Sequence, residues 1–124
     1  MQFEARIEST GDAPQKARDL LRGKLADRVP ATTLADVLTV VSELVTNAVT
    51  HGGGSEARLA VEVLSASVAG TVENDGHGIV QYEEPDPQAL RGLGLHVVNA
   101  VATTWSIEHD HGPVTRVAFE IDFS

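Results

Sequence analysis

The sequence has no cysteine. That excludes a disulfide scaffold, a thiolate zinc site and a cysteine nucleophile. It fits a reducing compartment, and the chain is expected to be cytoplasmic. No N-terminal apolar segment has the form of a signal peptide, and no run approaches the roughly 20 apolar residues that span a bilayer. Positive charge is scarce: 9 Lys and Arg stand against 18 Asp and Glu, a formal net charge of −9. Binding to a phosphate backbone needs a basic surface, so no direct nucleic-acid partner is expected, and no membrane. There is no low-complexity tract and no internal repeat.

The 124 residues suggest one domain, residues 1–124, with a core large enough to fold unaided. Hydrophobic residues at 42% and charged residues at 22% are ordinary for a soluble globular chain. Residues 2–9 alternate, with Phe3, Ala5 and Ile7 on one side, as in a half-buried strand. Asp12 is placed to cap a helix with Pro14 in its first turn, running to about Arg28. Five of the nine basic residues (Lys16, Arg18, Arg22, Lys24, Arg28) fall in that stretch. They read as a solvated helix face, with a docking face for an acidic protein as the functional alternative. Thr32 or Thr33 is placed to cap a second helix, in which Leu34, Val37, Leu38, Val41, Leu44, Val45, Ala48 and Val49 follow helical spacing. Gly52 to Gly54 end it.

Strand-like runs follow at Arg58–Leu64 and Ser67–Val72. An acidic, proline-bearing stretch over residues 79–91 reads as a surface loop or a lid. A helix is expected from Gly92 to Ala102, then a closing hairpin of residues 104–109 and 114–123. This order predicts an α+β fold: a two-layer sandwich with a mixed, mostly antiparallel sheet and helices on one face.

Three elements carry chemistry. On the second helix Glu43, Asn47 and His51 form one stripe away from the centre of the apolar face. Such a stripe ordinarily faces water. Asn, however, gains nothing from a helix interior, and its amide oxygen is a neutral hard ligand suited to Mg²⁺. Glu43, one turn earlier, is placed to accept a proton from an attacking hydroxyl or water. The second element is Val72-Glu73-Asn74-Asp75-Gly76-His77-Gly78-Ile79. Asn-Asp-Gly is ordinary turn chemistry. Alternatively, Asp75 accepts a hydrogen bond from the exocyclic amine of adenine, and Gly76 and Gly78 let the backbone approach a flat base.

The third element is Arg91-Gly92-Leu93-Gly94-Leu95. Glycines opening a helix bring free N–H groups and the positive helix end toward phosphate. No Gly-Lys-Ser/Thr loop occurs, and no strand precedes these glycines as a dinucleotide fingerprint requires. Thr115 offers a hydroxyl to a phosphate oxygen, or is a plain β-branched strand residue. The five histidines lack metal-ligand spacing, and no Gly-x-Ser-x-Gly elbow occurs.

In this order the elements resemble the ATP-binding fold shared by DNA gyrase, Hsp90-type chaperones, sensor histidine kinases and MutL (the GHKL or Bergerat fold). That family's first motif carries a Glu and an Asn on a helix, matched by Glu43 and Asn47. Its second joins an Asp to spaced glycines, matched by Asp75, Gly76 and Gly78. Its third is a glycine-rich helix start, matched by Gly92 and Gly94, and its late Thr by Thr115. Within it, ELVTNAVTHG and RGLGLHVVNAVATTW resemble the anti-sigma-factor serine/threonine kinases, abundant in actinobacteria.

The resemblance implies ATP and Mg²⁺ as ligands, a sigma factor and an anti-sigma-factor antagonist as protein partners, and transfer of phosphate to a serine of the antagonist. Glu43 is then the general base, Asn47 the Mg²⁺ ligand and Asp75 the adenine reader, with Arg91, Gly92, Leu93 and Gly94 at the phosphates. The family often forms homodimers, so a homodimer is one assembly the resemblance allows. A non-catalytic module that uses ATP to shape a docking surface for a regulator is the alternative. The first helix has no His, which disfavours an autophosphorylating histidine kinase.

Overall fold

Strand alternation and helical periodicity lay down two layers in the computed structural model, which describes residues 1–51, 55–74, 95–108 and 115–123. The elements in chain order are β1 (Gln2–Glu8), α1 (Ala13–Leu25), α2 (Ala31–His51), β2 (Glu56–Val63), β3 (Ser67–Asn74), α3 (Leu95–Val101), β4 (Thr104–Glu108) and β5 (Thr115–Asp122). The strands form one sheet in the order β1-β2-β3-β5-β4. Every pairing is antiparallel, so the described sheet has no parallel component. The expected two-layer α+β sandwich is present, with the helices packed on one sheet face.

The helix ends differ from expectation for local reasons. Asp12 occupies the cap position of α1 but makes no side-chain cap bond. Its carboxylate instead accepts from the Thr10 hydroxyl and pairs with Lys16 at 3.4 Å. The Thr10 bond is the main cause holding the Asp12 carboxyl below its ordinary value. α1 stops at Leu25, where the Arg28 N–H turns back to the Leu25 carbonyl in a tighter i→i−3 bond. α2 begins earlier than expected. Leu34 N–H donates to the Pro30 carbonyl at 2.9 Å, so Thr32 and Thr33 lie inside the first turn and cap nothing. A proline carbonyl can start a helical ladder even though proline lacks an N–H to continue one.

α2 is the core helix. Val37, Val40, Val41, Leu44 and Val45 are fully or almost fully buried against the sheet and the flanking helices. By length and composition residues 31–50 also meet the criteria for a membrane span, against the sequence expectation. Packing of that apolar face inside the fold identifies it as a core helix.

The helix-facing rows of the sheet are apolar: Leu59 pairs with Val72, Val72 with Val117, and Gly70 with Phe119. Gly70 is a close-approach position. A Cβ there would come within 2.6 Å of the Phe119 ring and 3.1 Å of the Ala60 carbonyl oxygen. The opposite face carries a charge ladder across the strands. Arg58 and Arg116 close on the Glu73 carboxylate from either side, Arg58 at 2.7 Å to one oxygen and Arg116 at 2.8 Å to the other. Arg116 also reaches Glu108 at 3.4 Å, and Arg6 reaches Glu56 at 3.7 Å.

Partial burial alone raises the Glu73 carboxyl, but hydrogen bonds and attraction from the two guanidiniums outweigh it and hold the pKa below the ordinary 4.5. A carboxyl depressed in the folded state stabilises the fold above its unfolded value and loses that contribution as pH falls through the folded one. The expected result is an acid-induced loss of stability concentrated below about pH 4.5, smaller in Glu73→Gln than in the parent chain. Chemical denaturation of both proteins along a pH series checks this. Parallel curves would remove Glu73 from the acid response.

Candidate functional site

The chain leaves α2 at His51 and re-enters the sheet at Glu56. Two residues on, Arg58 lies opposite Glu73, the penultimate residue of β3, which in turn lies opposite Arg116 near the start of β5. The C-terminal end of α2, the end of β3 and the start of β5 therefore meet at one end of the sandwich. Three of the five buried polar or charged residues named for the described chain lie on these three segments: Asn47 at 4% exposure, Asn74 at 3% and Thr115 at 1%. Elsewhere the interface between the layers is almost wholly apolar.

Asn47 sits among the buried residues of α2, and its Nδ2 atom has no hydrogen-bond partner among the described residues. A buried unsatisfied amide costs about 1–3 kcal/mol, and native folds rarely retain one without a use. Rotation about χ2 exchanges the two ends of the amide, so Asn47 can offer an acceptor to a cation or a donor to a phosphate oxygen. Glu43, one turn earlier and half-buried, lies on the same stripe, as expected. The structure thus brings Glu43 and Asn47 together on α2, and sets Asn74 and Thr115 opposite each other on β3 and β5.

Asp75, Gly76, Gly78, Arg91, Gly92, Leu93 and Gly94 lie outside the described residues, as do the residue 79–91 stretch and Gly52 to Gly54. Among the described residues no group of three or more His, Asp or Glu could hold a metal. Mg²⁺ keeps most of its waters and takes few protein ligands besides substrate phosphates. Asn47 is the described residue whose chemistry fits that role.

Two features escaped the sequence. Arg18 on α1 donates to the Ser42 hydroxyl at 2.8 Å, tying α1 to α2 one residue before Glu43. Helix periodicity shows Arg18 as exposed but cannot name a partner 24 residues away. The basic stretch is largely engaged within the chain: Lys16 with Asp12, Arg22 with Asp19, Lys24 over the Phe3 ring. The other feature is Asn74, which the motif treats as a spacer. Its signal was the alternation Val68, Gly70, Val72, Asn74, which puts it on the helix-facing row. Two concavities of about 630 and 500 Å³ lie over the sheet around Ala60 and Thr71, and neither includes Asn47, Asn74 or Thr115.

Comparison with solved structures shows the fold. The RsbU and RsbW domains of Rv1364c from Mycobacterium tuberculosis superpose with a TM-score of 0.76 at 19% identity, over 98% of this chain. This chain spans about a third of that one, 32%. The histidine kinase AdeS of Acinetobacter baumannii gives 0.53 at 17% identity, covering 98% of this chain and 68% of that one. The histidine kinase domain of the blue-light activated kinase EL346 from Erythrobacter litoralis gives 0.50 at 20% identity, covering 94% and 62%. No curated protein matches the sequence. The model of the histidine kinase-like ATPase domain matches residues 3–119, from the first strand into the last. A match of that extent settles the family: the chain belongs to the histidine kinase-like ATPase domains, and ATP is the ligand that membership implies.

Proposed function

We propose that the chain is an Mg²⁺-dependent protein serine/threonine kinase of the anti-sigma-factor type, acting in the cytoplasm on an anti-sigma-factor antagonist and also able to sequester a sigma factor. The observation that carries this reading is the buried Asn47, one helical turn from Glu43, whose Nδ2 has no hydrogen-bond partner among the described residues. The sequence likeness of the two glycine-bearing motifs and the superposition on a chain containing an RsbW domain support it.

In this reading ATP is a substrate. The Glu43 carboxylate takes the proton of the acceptor serine. The serine Oγ bonds to the γ-phosphorus, the bond from that phosphorus to the bridging oxygen breaks, and ADP leaves. Bound Mg²⁺ supplies charge neutralisation along the phosphates, and Asn47 is the residue that would hold it. Arg91, Gly92, Leu93 and Gly94 provide phosphate contacts, and Thr115 a hydroxyl. The base end belongs to the close of β3, where Asp75 is the carboxylate expected to meet the exocyclic amine and Asn74 is its described neighbour.

Calorimetric titration of the purified chain with ATP, with and without Mg²⁺, tests the reading. Mg²⁺-enhanced binding is the expected result. Absence of binding at millimolar ATP would overturn it.

A further inference from the structure

The helix-facing row of β3 runs Val68, Gly70, Val72 and then Asn74. On β5 the matching row runs Ile121, Phe119, Val117 and then Thr115. Two apolar rows thus end together in an amide and a hydroxyl, both nearly fully buried. A valine pair would fill these positions at no polar cost, so packing does not account for the choice. Each residue also interacts with another group of the chain, so support within the fold and contact with a ligand have to be separated by experiment.

The parity of this strand end is pinned from behind. Glu73 points to the other face, where Arg58 and Arg116 hold both carboxylate oxygens. A one-residue slip would break that clamp and turn Asn74 away from the helices. The clamp therefore sets which side chain of the Glu73-Asn74 pair faces the helix layer.

We infer that Asn74 contacts the nucleobase, and that its amide accepts guanine as well as adenine. The inference rests on the nucleotide-binding reading above and moves the base-reading role within it from Asp75 to Asn74. Adenine presents an amine donor beside a ring-nitrogen acceptor, and guanine presents a carbonyl acceptor beside an N–H donor. A carboxylate only accepts, so it suits adenine and repels the guanine carbonyl. An amide carries one acceptor and two donors on a flat group that turns over about χ2. One orientation complements adenine, and the other complements guanine. Base selectivity at this position is therefore low, and a carboxylate placed there restores it.

The experiment is calorimetric titration of the full chain with Mg·ATP and Mg·GTP, for the parent protein, Asn74→Asp and Asp75→Asn. The parent is expected to bind both nucleotides within about an order of magnitude. Asn74→Asp, nearly unchanged in shape, is expected to keep ATP and to weaken GTP by about tenfold or more, as an unpaired or repelled polar contact does. Asp75→Asn is expected to leave the ratio unchanged. A parent that binds ATP with strong preference over GTP overturns the inference while leaving nucleotide binding intact. So does a ratio that follows Asp75 instead of Asn74. Failure of the parent to bind either nucleotide overturns this inference and the reading beneath it together.

Discussion

Replacing Glu43 with Gln is expected to lower phosphoryl transfer by about 10²- to 10⁴-fold, the usual contribution of a positioned general base. Binding of Mg·ATP is expected to be retained. The two halves of this expectation come from different properties of the side chain. Glu43 lies half-buried on α2 at the edge of the core, so the amide, equal in size, leaves the packing of Val40, Val41 and Leu44 untouched. What the amide cannot do is take a proton. Removing a negative charge near a triphosphate also does nothing to weaken the ligand, so the affinity should hold or improve. Transfer of labelled phosphate from ATP to a cognate antagonist gives the first readout, and calorimetry the second. If transfer persists at the parent rate, Glu43 is not the base. If the parent itself transfers nothing while binding ATP, the non-catalytic module is the better description, and ATP acts through its preference for one conformation.

Much of the scaffold is legible in the sequence because it depends on periodicity. The alternation of Phe3, Ala5 and Ile7 and the helical series from Val37 to Ala48 each survive in the fold, since one buried face dictates each pattern. The ends of the helices are less legible. Thr32 and Thr33 have the right chemistry for a cap, yet the ladder starts from the Pro30 carbonyl, a choice made by the backbone. The Glu73 clamp is invisible for another reason: its cations stand 15 and 43 residues away in sequence, and only strand register brings them together. For the site, Glu43 and Asn47 are found by helix spacing. The burial of Asn74 is not, because the direction of a strand side chain depends on parity and pairing. The burial of Thr115 likewise follows from its register with Asn74 and not from its identity.

Asn47→Leu is expected to stabilise the nucleotide-free chain by about 1–3 kcal/mol while removing the Mg²⁺-dependent part of ATP affinity. The sign follows from the unpaired amide nitrogen. Its Nδ2 is buried without a partner among the described residues, so the free protein bears a desolvation cost with no bond in return. Leu has the same branching at Cγ, no polar atom to satisfy, and a better helix propensity by a few tenths of a kcal/mol. Its larger volume takes back part of the gain through overpacking, which sets the lower end of the range. A residue kept at a cost to the fold is explained by what it does when the ligand arrives. Denaturant unfolding without nucleotide measures the first effect, as a higher midpoint at an unchanged slope. Titration with ATP in the presence and absence of Mg²⁺ measures the second, with Asn47→Ala as a smaller companion. Both variants should lose more affinity for Mg·ATP than for metal-free ATP. Equal losses would take Asn47 away from the metal, and a less stable Asn47→Leu would mean that the buried amide supports the fold itself.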